Sequence, residues 1–170
     1  MKAIVAVTAN WGIGKDNNLL ISIPEDMKFF RRTTANAIVI MGRKTLESFP
    51  GSKPLKNRIN IVITRDESYA PEGVVIVHTP DEAVSRALEL QKTELTEDGN
   101  ERNIFVIGGA SIYEQMVDLC DTVYVTKVSK VYDADAFFPD LDKREGWSIA
   151  SETDGQEYED MTYKFVTYVK

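Results

Sequence analysis

The run Ala37-Ile38-Val39-Ile40-Met41 is apolar at every position and offers no residue for a wet side. A strand with one face in water alternates apolar and polar residues. An unbroken apolar run belongs to a strand covered on both faces, as in parallel sheets. Ile104-Phe105-Val106-Ile107 has the same character, and residues 3–9 form a third short apolar run. Further strands are expected at 58–64, 74–77 and 122–128. Helix-like stretches come between them: one from Pro24, a short one at Gly42-Arg43-Lys44-Thr45-Leu46-Glu47, one opened by Thr79-Pro80-Asp81-Glu82 and ending near Gln91, and an amphipathic one over 110–119. Repeated strand-then-helix units imply a mainly parallel sheet with helices on both faces. Residues 147–152 and 163–169 read as strands with no helix between them, so an antiparallel closing hairpin is expected. Residues 10–23 read as a loop. Residues 92–103 read as an exposed polar connector lying away from the functional motifs.

A chain of 170 residues is most simply one domain, spanning 1–170, and can bury about 70% of its unfolded surface. The net charge of −7, with no basic stripe bearing interleaved aromatics, argues against nucleic acid as a partner. It leaves room for a small anionic ligand, because fields are screened over about 8–10 Å and a few local cations outweigh distant acids. Residues 1–7 lack the long apolar stretch of a signal peptide, and no run approaches the length of a membrane span. Cys120 is the only cysteine, which rules out an internal disulfide framework, fits a reducing cytoplasm and suits a small core residue.

Asp26 is an acid where a core residue is expected. In the helix from Pro24, Glu25, Lys28, Arg31 and Arg32 gather on one side, while Met27, Phe29 and Phe30 fan across the other with Asp26 among them. An acid in a first turn commonly serves the helix dipole, but Glu25 can do that from the solvent side. Asp26 on the apolar side asks for a partner, such as a polar ligand held in an apolar cleft.

Ligands of open α/β sheets bind beyond the carboxyl ends of the strands, and three ends here carry suitable groups. Gly42-Arg43-Lys44-Thr45 and Gly108-Gly109-Ala110-Ser111 are strand-to-helix turns with bare backbone, and Thr64-Arg65 adds a hydroxyl and a guanidinium. Together they suit a ligand with several phosphates. A P-loop is excluded, because Ala37 stands where its first glycine belongs and Arg43 where its lysine belongs. The Rossmann fingerprint fails at Asn17, three positions after Gly12-Ile13-Gly14. His78 is the only histidine and is read as a surface residue, so no His-based triad or two-His metal site can be built, and no metal is expected.

With Asn10-Trp11-Gly12-Ile13-Gly14, Ile23-Pro24-Glu25-Asp26-Met27-Lys28-Phe29-Phe30, Val39-Ile40-Met41-Gly42-Arg43-Lys44-Thr45, Ile107-Gly108-Gly109-Ala110-Ser111-Ile112-Tyr113 and Phe138-Pro139-Asp140 in this order, the chain resembles the dihydrofolate reductases of the chromosomal, bacterial-like type. The resemblance implies a single α/β domain with a mainly parallel eight-stranded sheet, an antiparallel C-terminal strand and four flanking helices. It implies reduction of 7,8-dihydrofolate to tetrahydrofolate by NADPH, in a cytoplasmic monomer sensitive to antifolates such as methotrexate or trimethoprim.

Carried over by position, Asp26 binds the pterin and promotes protonation at N5, and Thr126 supports it. Ile4, Ala6, Met27, Phe30, Phe49 and Leu55 line the pterin and benzoyl pocket, Ile107 and Tyr113 border the nicotinamide, and Arg58 pairs with the folate α-carboxylate. Gly42, Arg43, Lys44 and Thr45 hold cofactor phosphates, as do Gly108, Gly109, Ala110 and Ser111, with Gly108-Gly109 expected as a cis peptide. Thr64 and Arg65 take the 2′-phosphate. Ala6, Ile13, Gly14, Ile107, Ile112 and Tyr113 complete the cofactor contacts, and residues 9–23 close over the nicotinamide.

The chain departs from the family pattern at Leu19-Leu20-Ile21, where Leu-Pro-Trp or Met-Pro-Trp is common. The missing tryptophan removes a hydrogen bond to water near the acid. The alternative readings are the NADPH-dependent reductase domain of riboflavin biosynthesis, against which Asp26 and Arg58 argue, and a non-catalytic nucleotide-binding module or phosphotransferase, which needs no acid on an apolar helix face.

Overall fold

The computed structural model describes residues 1–170. In chain order its strands and helices are β1 (Lys2–Val7), β2 (Gly12–Lys15), β3 (Asn18–Leu19), α1 (Pro24–Thr33), β4 (Ile38–Gly42), α2 (Arg43–Ser48), β5 (Ile59–Ile63), β6 (Val75–Val77), α3 (Pro80–Thr93), β7 (Ile104–Gly108), α4 (Ala110–Met116), β8 (Thr122–Val128), β9 (Ala136–Phe137), β10 (Ser148–Glu152), β11 (Gln156–Tyr158) and β12 (Met161–Val169). The main sheet runs β10-β12-β8-β1-β7-β4-β5-β6, with β11 pairing on β12. The pairs from β8 through β1, β7, β4 and β5 to β6 are parallel, and β12 pairs antiparallel with β8, β10 and β11. None of the helices is long and apolar enough to cross a membrane.

The apolar run at β4 is buried on both faces as its composition requires. Ile38 and Ile40 point into the core that holds Ala83, Ala87 and Leu90 of α3 and Ile112 and Met116 of α4. Ala37, Val39 and Met41 point the other way, into a cluster with Leu46 of α2, against which Phe29 and Phe30 of α1 pack. The period of two along a strand thus separates two layers of helices. α3 starts on Thr79, whose side chain accepts a hydrogen bond from the Glu82 amide at 3.1 Å.

Several expectations need correction. Residues 10–23 are more than a loop: β2 pairs with β3 and β9 in a separate three-stranded sheet, with Gly14 opposite both Leu19 and Ala136. Such short pairings lie below what alternating hydrophobicity reveals. The first strand ends at Val7, the third helix continues to Thr93, and the fourth ends at Met116 with a 3-10 turn over Val117–Leu119. Trp147 is buried but precedes its strand. The closing hairpin exists, extended by β11. Cys120 is buried and His78 exposed, both as expected.

Ile40 is wholly buried at the centre of the sheet. Ile40→Ala is expected to cost about 2–5 kcal/mol of stability, from lost transfer energy and the cavity left behind. Urea denaturation checks this: the midpoint falls while the slope stays that of the parent chain.

Candidate functional site

α1 begins at Pro24 with no side chain capping it, and both Glu25 and Asp26 lie in its first turn. Glu25 is exposed and pairs with Lys28 Nζ at 2.9 Å. Asp26 instead turns inward and accepts a 2.6 Å hydrogen bond at Oδ1 from the hydroxyl of Thr126. Thr126 is buried on β8, in the rung between Ala6 of β1 and Phe165 of β12. Ile21, Ile23, Val128 and Tyr163 form a buried cluster there, with Ala6, Leu20 and Phe165 packed against it. Burial therefore holds the Asp26 pKa above the ordinary carboxylate value, and the Thr126 bond offsets this only in part. Ile21 supplies apolar surface and no donor, so Thr126 is the one side chain hydrogen-bonded to the acid.

From Asp26 the apolar side of α1 continues to Phe30, one turn on. Phe30, Phe49 and Leu55 are half-buried against the cluster containing Ile4 and Ile107. Met27 is 49% exposed at the rim. At the other end of the helix Arg58 Nε donates to Thr34 O at 3.1 Å, Nη1 to Lys56 O at 3.3 Å and Nη2 to Arg31 O at 3.3 Å. A guanidinium carries five N–H groups, so one remains on each Nη, as a fork for a carboxylate. Burial, and then the charge of Arg31, lower the pKa of Arg58. Asp26 and Thr34 are separated by a helix rise of about 12 Å. The groove side of α1 thus offers an acid at one end, aromatic surface between, and a pinned guanidinium at the other.

The strand order β1-β7-β4-β5 brings the three glycine- and cation-bearing ends side by side. α2 starts on Gly42 and α4 on Gly109, and neither has a capping side chain, in contrast to α3. Their first amides face the strand ends without a protein cap. The Gly108-Gly109 peptide is cis, and Gly108 has φ +126°. A Cβ there would lie 3.4 Å from the Tyr113 ring and 3.6 Å from Thr45 Oγ1. Ile112 packs on Gly42, and the Tyr113 hydroxyl donates to Ile4 O at 2.7 Å. Burial, reinforced by the Asp26 charge, raises the Tyr113 pKa, so it stays a neutral donor.

Thr64 is buried, while Lys44 and Arg65 carry no ion pair. Arg43 is different: Nε meets Glu47 at 2.7 Å, Nη1 meets Asp66 at 2.8 Å, and the guanidinium lies 4.2 Å from the Tyr69 ring centroid. Its pKa is raised, first by the Glu47 hydrogen bond. Ser111 Oγ is taken by Gln115 Nε2 at 2.9 Å, beside the half-buried Ala110. Bare backbone, uncapped amides, Lys44 and Arg65 fit a phosphate-bearing cofactor. Arg43 can join them by exchanging a carboxylate for a phosphate.

Ile13 and Gly14 lie on β2, and Trp11 just before it stacks on Phe138 at 6.2 Å while Phe138 meets Tyr113 edge-on at 4.8 Å. The small sheet thus leans on the wall that holds Tyr113. Behind Trp11, Lys127 Nζ sits 4.8 Å from its ring and bonds Asp142 at 2.8 Å and the Tyr168 hydroxyl at 3.0 Å. Sequence reasoning missed this anchor, because Lys127, Asp142 and Tyr168 meet only through tertiary packing.

The connector at 92–103 does not lie away from the motifs. Arg102 donates to Glu94 O at 2.6 Å, to Asn36 O at 2.6 Å and to Leu95 O at 3.3 Å. These bonds fold the connector back against Asn57 and Arg58. A polar loop hides such an anchor, since one arginine among other charged residues carries no periodic signal.

The dihydrofolate reductase family profile matches residues 1–170. A dihydrofolate reductase of Bacillus subtilis is 34% identical over 169 residues, covering 98% of this chain and 92% of the relative. One from Sus scrofa is 33% identical over 186 residues, covering 100% and 97%. These near-equal identities show the family and do not single out a bacterial branch. The solved structure of dihydrofolate reductase from Enterococcus faecalis, complexed with NADP(H) and RAB-propyl, superposes with a TM-score of 0.81 at 28% identity, over 99% of this chain and 94% of that one. Fold, ordered motifs and full-length match agree, and the chain belongs to the dihydrofolate reductase family.

Proposed function

We propose that this protein reduces 7,8-dihydrofolate to 5,6,7,8-tetrahydrofolate with NADPH, supplying one-carbon metabolism as a cytoplasmic monomer of the chromosomal, bacterial-like type that methotrexate and trimethoprim inhibit. The observation that carries this reading is Asp26: a half-buried acid with a raised pKa, fixed at one oxygen by Thr126, on the apolar side of α1.

NADPH, when bound, supplies the hydride that pterin C6 accepts. Gly42, Lys44, Thr45, Gly108, Gly109, Ala110 and Ser111 would hold its phosphates, Thr64 and Arg65 its 2′-phosphate, with Arg43 released from one carboxylate. Ala6, Ile13, Gly14, Ile107, Ile112 and Tyr113 would flank the nicotinamide end. Thr126 occupies Asp26 Oδ1 and leaves Oδ2 to the pterin. The raised pKa keeps a proton on Asp26 at higher pH than a solvated aspartate, which favours protonation at pterin N5. Phe30, Phe49 and Leu55 hold the ring system flat over Ile4 and Ala6, Met27 covers the rim, and the fork of Arg58 takes the α-carboxylate. Residues 10–23, tied down through β9 and Trp11, exclude water from the reacting face.

Asp26→Asn is expected to lower kcat/KM near neutral pH by about 100- to 1000-fold, followed as loss of reduced-nicotinamide absorbance. The parent rate falls as pH rises through the Asp26 pKa, and the variant lacks that limb. A folded variant with parental activity and pH profile would remove Asp26 from the mechanism.

The same shift fixes a stability effect with a definite sign. A carboxyl whose folded pKa lies above its unfolded value contributes fully below the unfolded pKa, and the contribution is lost as pH rises through the folded pKa. Asp26→Asn is therefore expected to raise Tm near neutral pH, with the gain shrinking toward zero in acid below the ordinary aspartate range. Thermal melts across that range check it, and a gain that grows on acidification contradicts burial as the cause.

A further inference from the structure

Lys127 is a cation in an apolar row. On β8 the side chains of Val123 and Val125 point into the large core, and Lys127 continues that row where a third apolar residue is due. Its ladder partner on β12 is Lys164, and like charges directly opposite destabilise a sheet. Lys164 is drawn off by Glu152 at 2.7 Å. Lys127 is held by a closed triangle instead. Its Nζ donates to Asp142 Oδ2 at 2.8 Å and to the Tyr168 hydroxyl at 3.0 Å, and that hydroxyl donates to Asp142 Oδ1 at 2.7 Å. The ammonium fixed in this way lies 4.8 Å from the ring of Trp11.

Trp11 is buried and has φ +62°, a region that a bulky side chain occupies only where its surroundings hold it. Thr8 and Gly12 close the turn around it: the Thr8 amide donates to Gly12 O at 3.0 Å, and the Gly12 amide to Thr8 Oγ1 at 2.9 Å. The indole is enclosed by Phe138, Tyr168 and Lys127. The Trp11 carbonyl accepts from the Phe138 amide at 2.9 Å. Phe138 and Asp142 belong to one short segment, so the chain that supports the ring also supplies the carboxylate of Lys127. From Trp11 the chain runs directly into β2 with Ile13 and Gly14, and Phe138 meets the Tyr113 ring at 4.8 Å.

We propose that Lys127 is a positioning residue for the cofactor: by holding Trp11 through a cation–π contact, it sets β2 and the Phe138–Tyr113 wall where the nicotinamide end lies. This rests on the reductase reading above. Successive residues of β8 then serve two ligands. Thr126 points to one face and holds the acid that meets the substrate, while Lys127 points to the other and holds the cover of the cofactor. Loss of the lysine charge therefore weakens NADPH binding and spares dihydrofolate, whose contacts lie along α1. Asp142 is exposed enough for water to replace the ammonium, and Tyr168 keeps its bond to that carboxylate, so the substitution strands no buried charge.

Trp11 and Trp147 are the only tryptophans. Trp147 Nε1 has no hydrogen-bond partner, so Trp147→Phe strands no polar group and leaves Trp11 as the sole indole reporter. In that background, NADPH and dihydrofolate are titrated separately into the parent, Lys127→Met and Lys127→Arg, with Trp11 fluorescence as the signal. Lys127→Met is expected to shift the Trp11 emission and raise the Kd for NADPH about 5- to 10-fold, the range of a partly desolvated cation–π contact. Lys127→Arg, which keeps the charge, is expected to restore NADPH affinity to within about 2-fold of the parent. Dihydrofolate affinity stays at the parental value in both. A shifted emission with unchanged NADPH affinity overturns the proposal, since the anchor would then stop at the indole. Equal weakening of both ligands overturns it as general loosening, and an arginine variant as weak as the methionine one overturns the role of the charge. Binding of neither ligand by the folded parent overturns the reductase reading beneath it.

Discussion

Burial of β4 and β7 on both faces is the constraint from which the site follows. Ile38 through Met41 are fully buried, and Ile104 to Val106 nearly so. A strand with no wet face leaves its polar chemistry only at its ends. The parallel neighbours β1, β7, β4 and β5 place those carboxyl ends in one row. Gly42, Thr64 and Gly108 therefore become neighbours although they are far apart in sequence. The helices that cover the sheet also begin there, so their uncapped amides arrive at the same row as a consequence of the crossover topology.

Asp26 is the exception that this apolar construction isolates. Glu25 beside it finds water and Lys28, while Asp26 finds Thr126 and a wall of isoleucine and tyrosine. One neutral hydroxyl cannot replace the solvation a carboxylate loses, so the proton is retained more firmly. Thr126 is itself fixed by strand ladders to β1 and β12. The acid's position is thus set by the sheet's register, and its protonation by what surrounds it. Ile21 keeps that surrounding apolar.

What could be read in the sequence was what local periodicity or local chemistry encodes. The unbroken apolar run at 37–41 disclosed the buried strand, and Thr79-Pro80 disclosed a capped helix start. Asp26 stood out because it broke an otherwise apolar helix side. The partner of Asp26 is a hundred residues away, and nothing around Thr126 announces it locally. The pairing of β2 with β9 was hidden because strands this short have no measurable alternation. Lys127 with Asp142 and Tyr168, and Arg102 with Asn36, were hidden for a related reason: each is an ordinary polar residue whose role exists only once distant segments meet.

Charge is distributed to the same end. The chain is acidic, yet Lys44, Lys56, Arg58 and Arg65 stand without carboxylate partners beside the surfaces assigned to anionic groups. Arg43 shows that proximity alone does not make a cation available, because Glu47 and Asp66 already hold it. Those contacts are exposed, and exposed pairs contribute little to stability. A phosphate dianion can displace one carboxylate at small cost while the Tyr69 ring keeps the guanidinium oriented. The same two carboxylates hold Arg43 beside the strand ends.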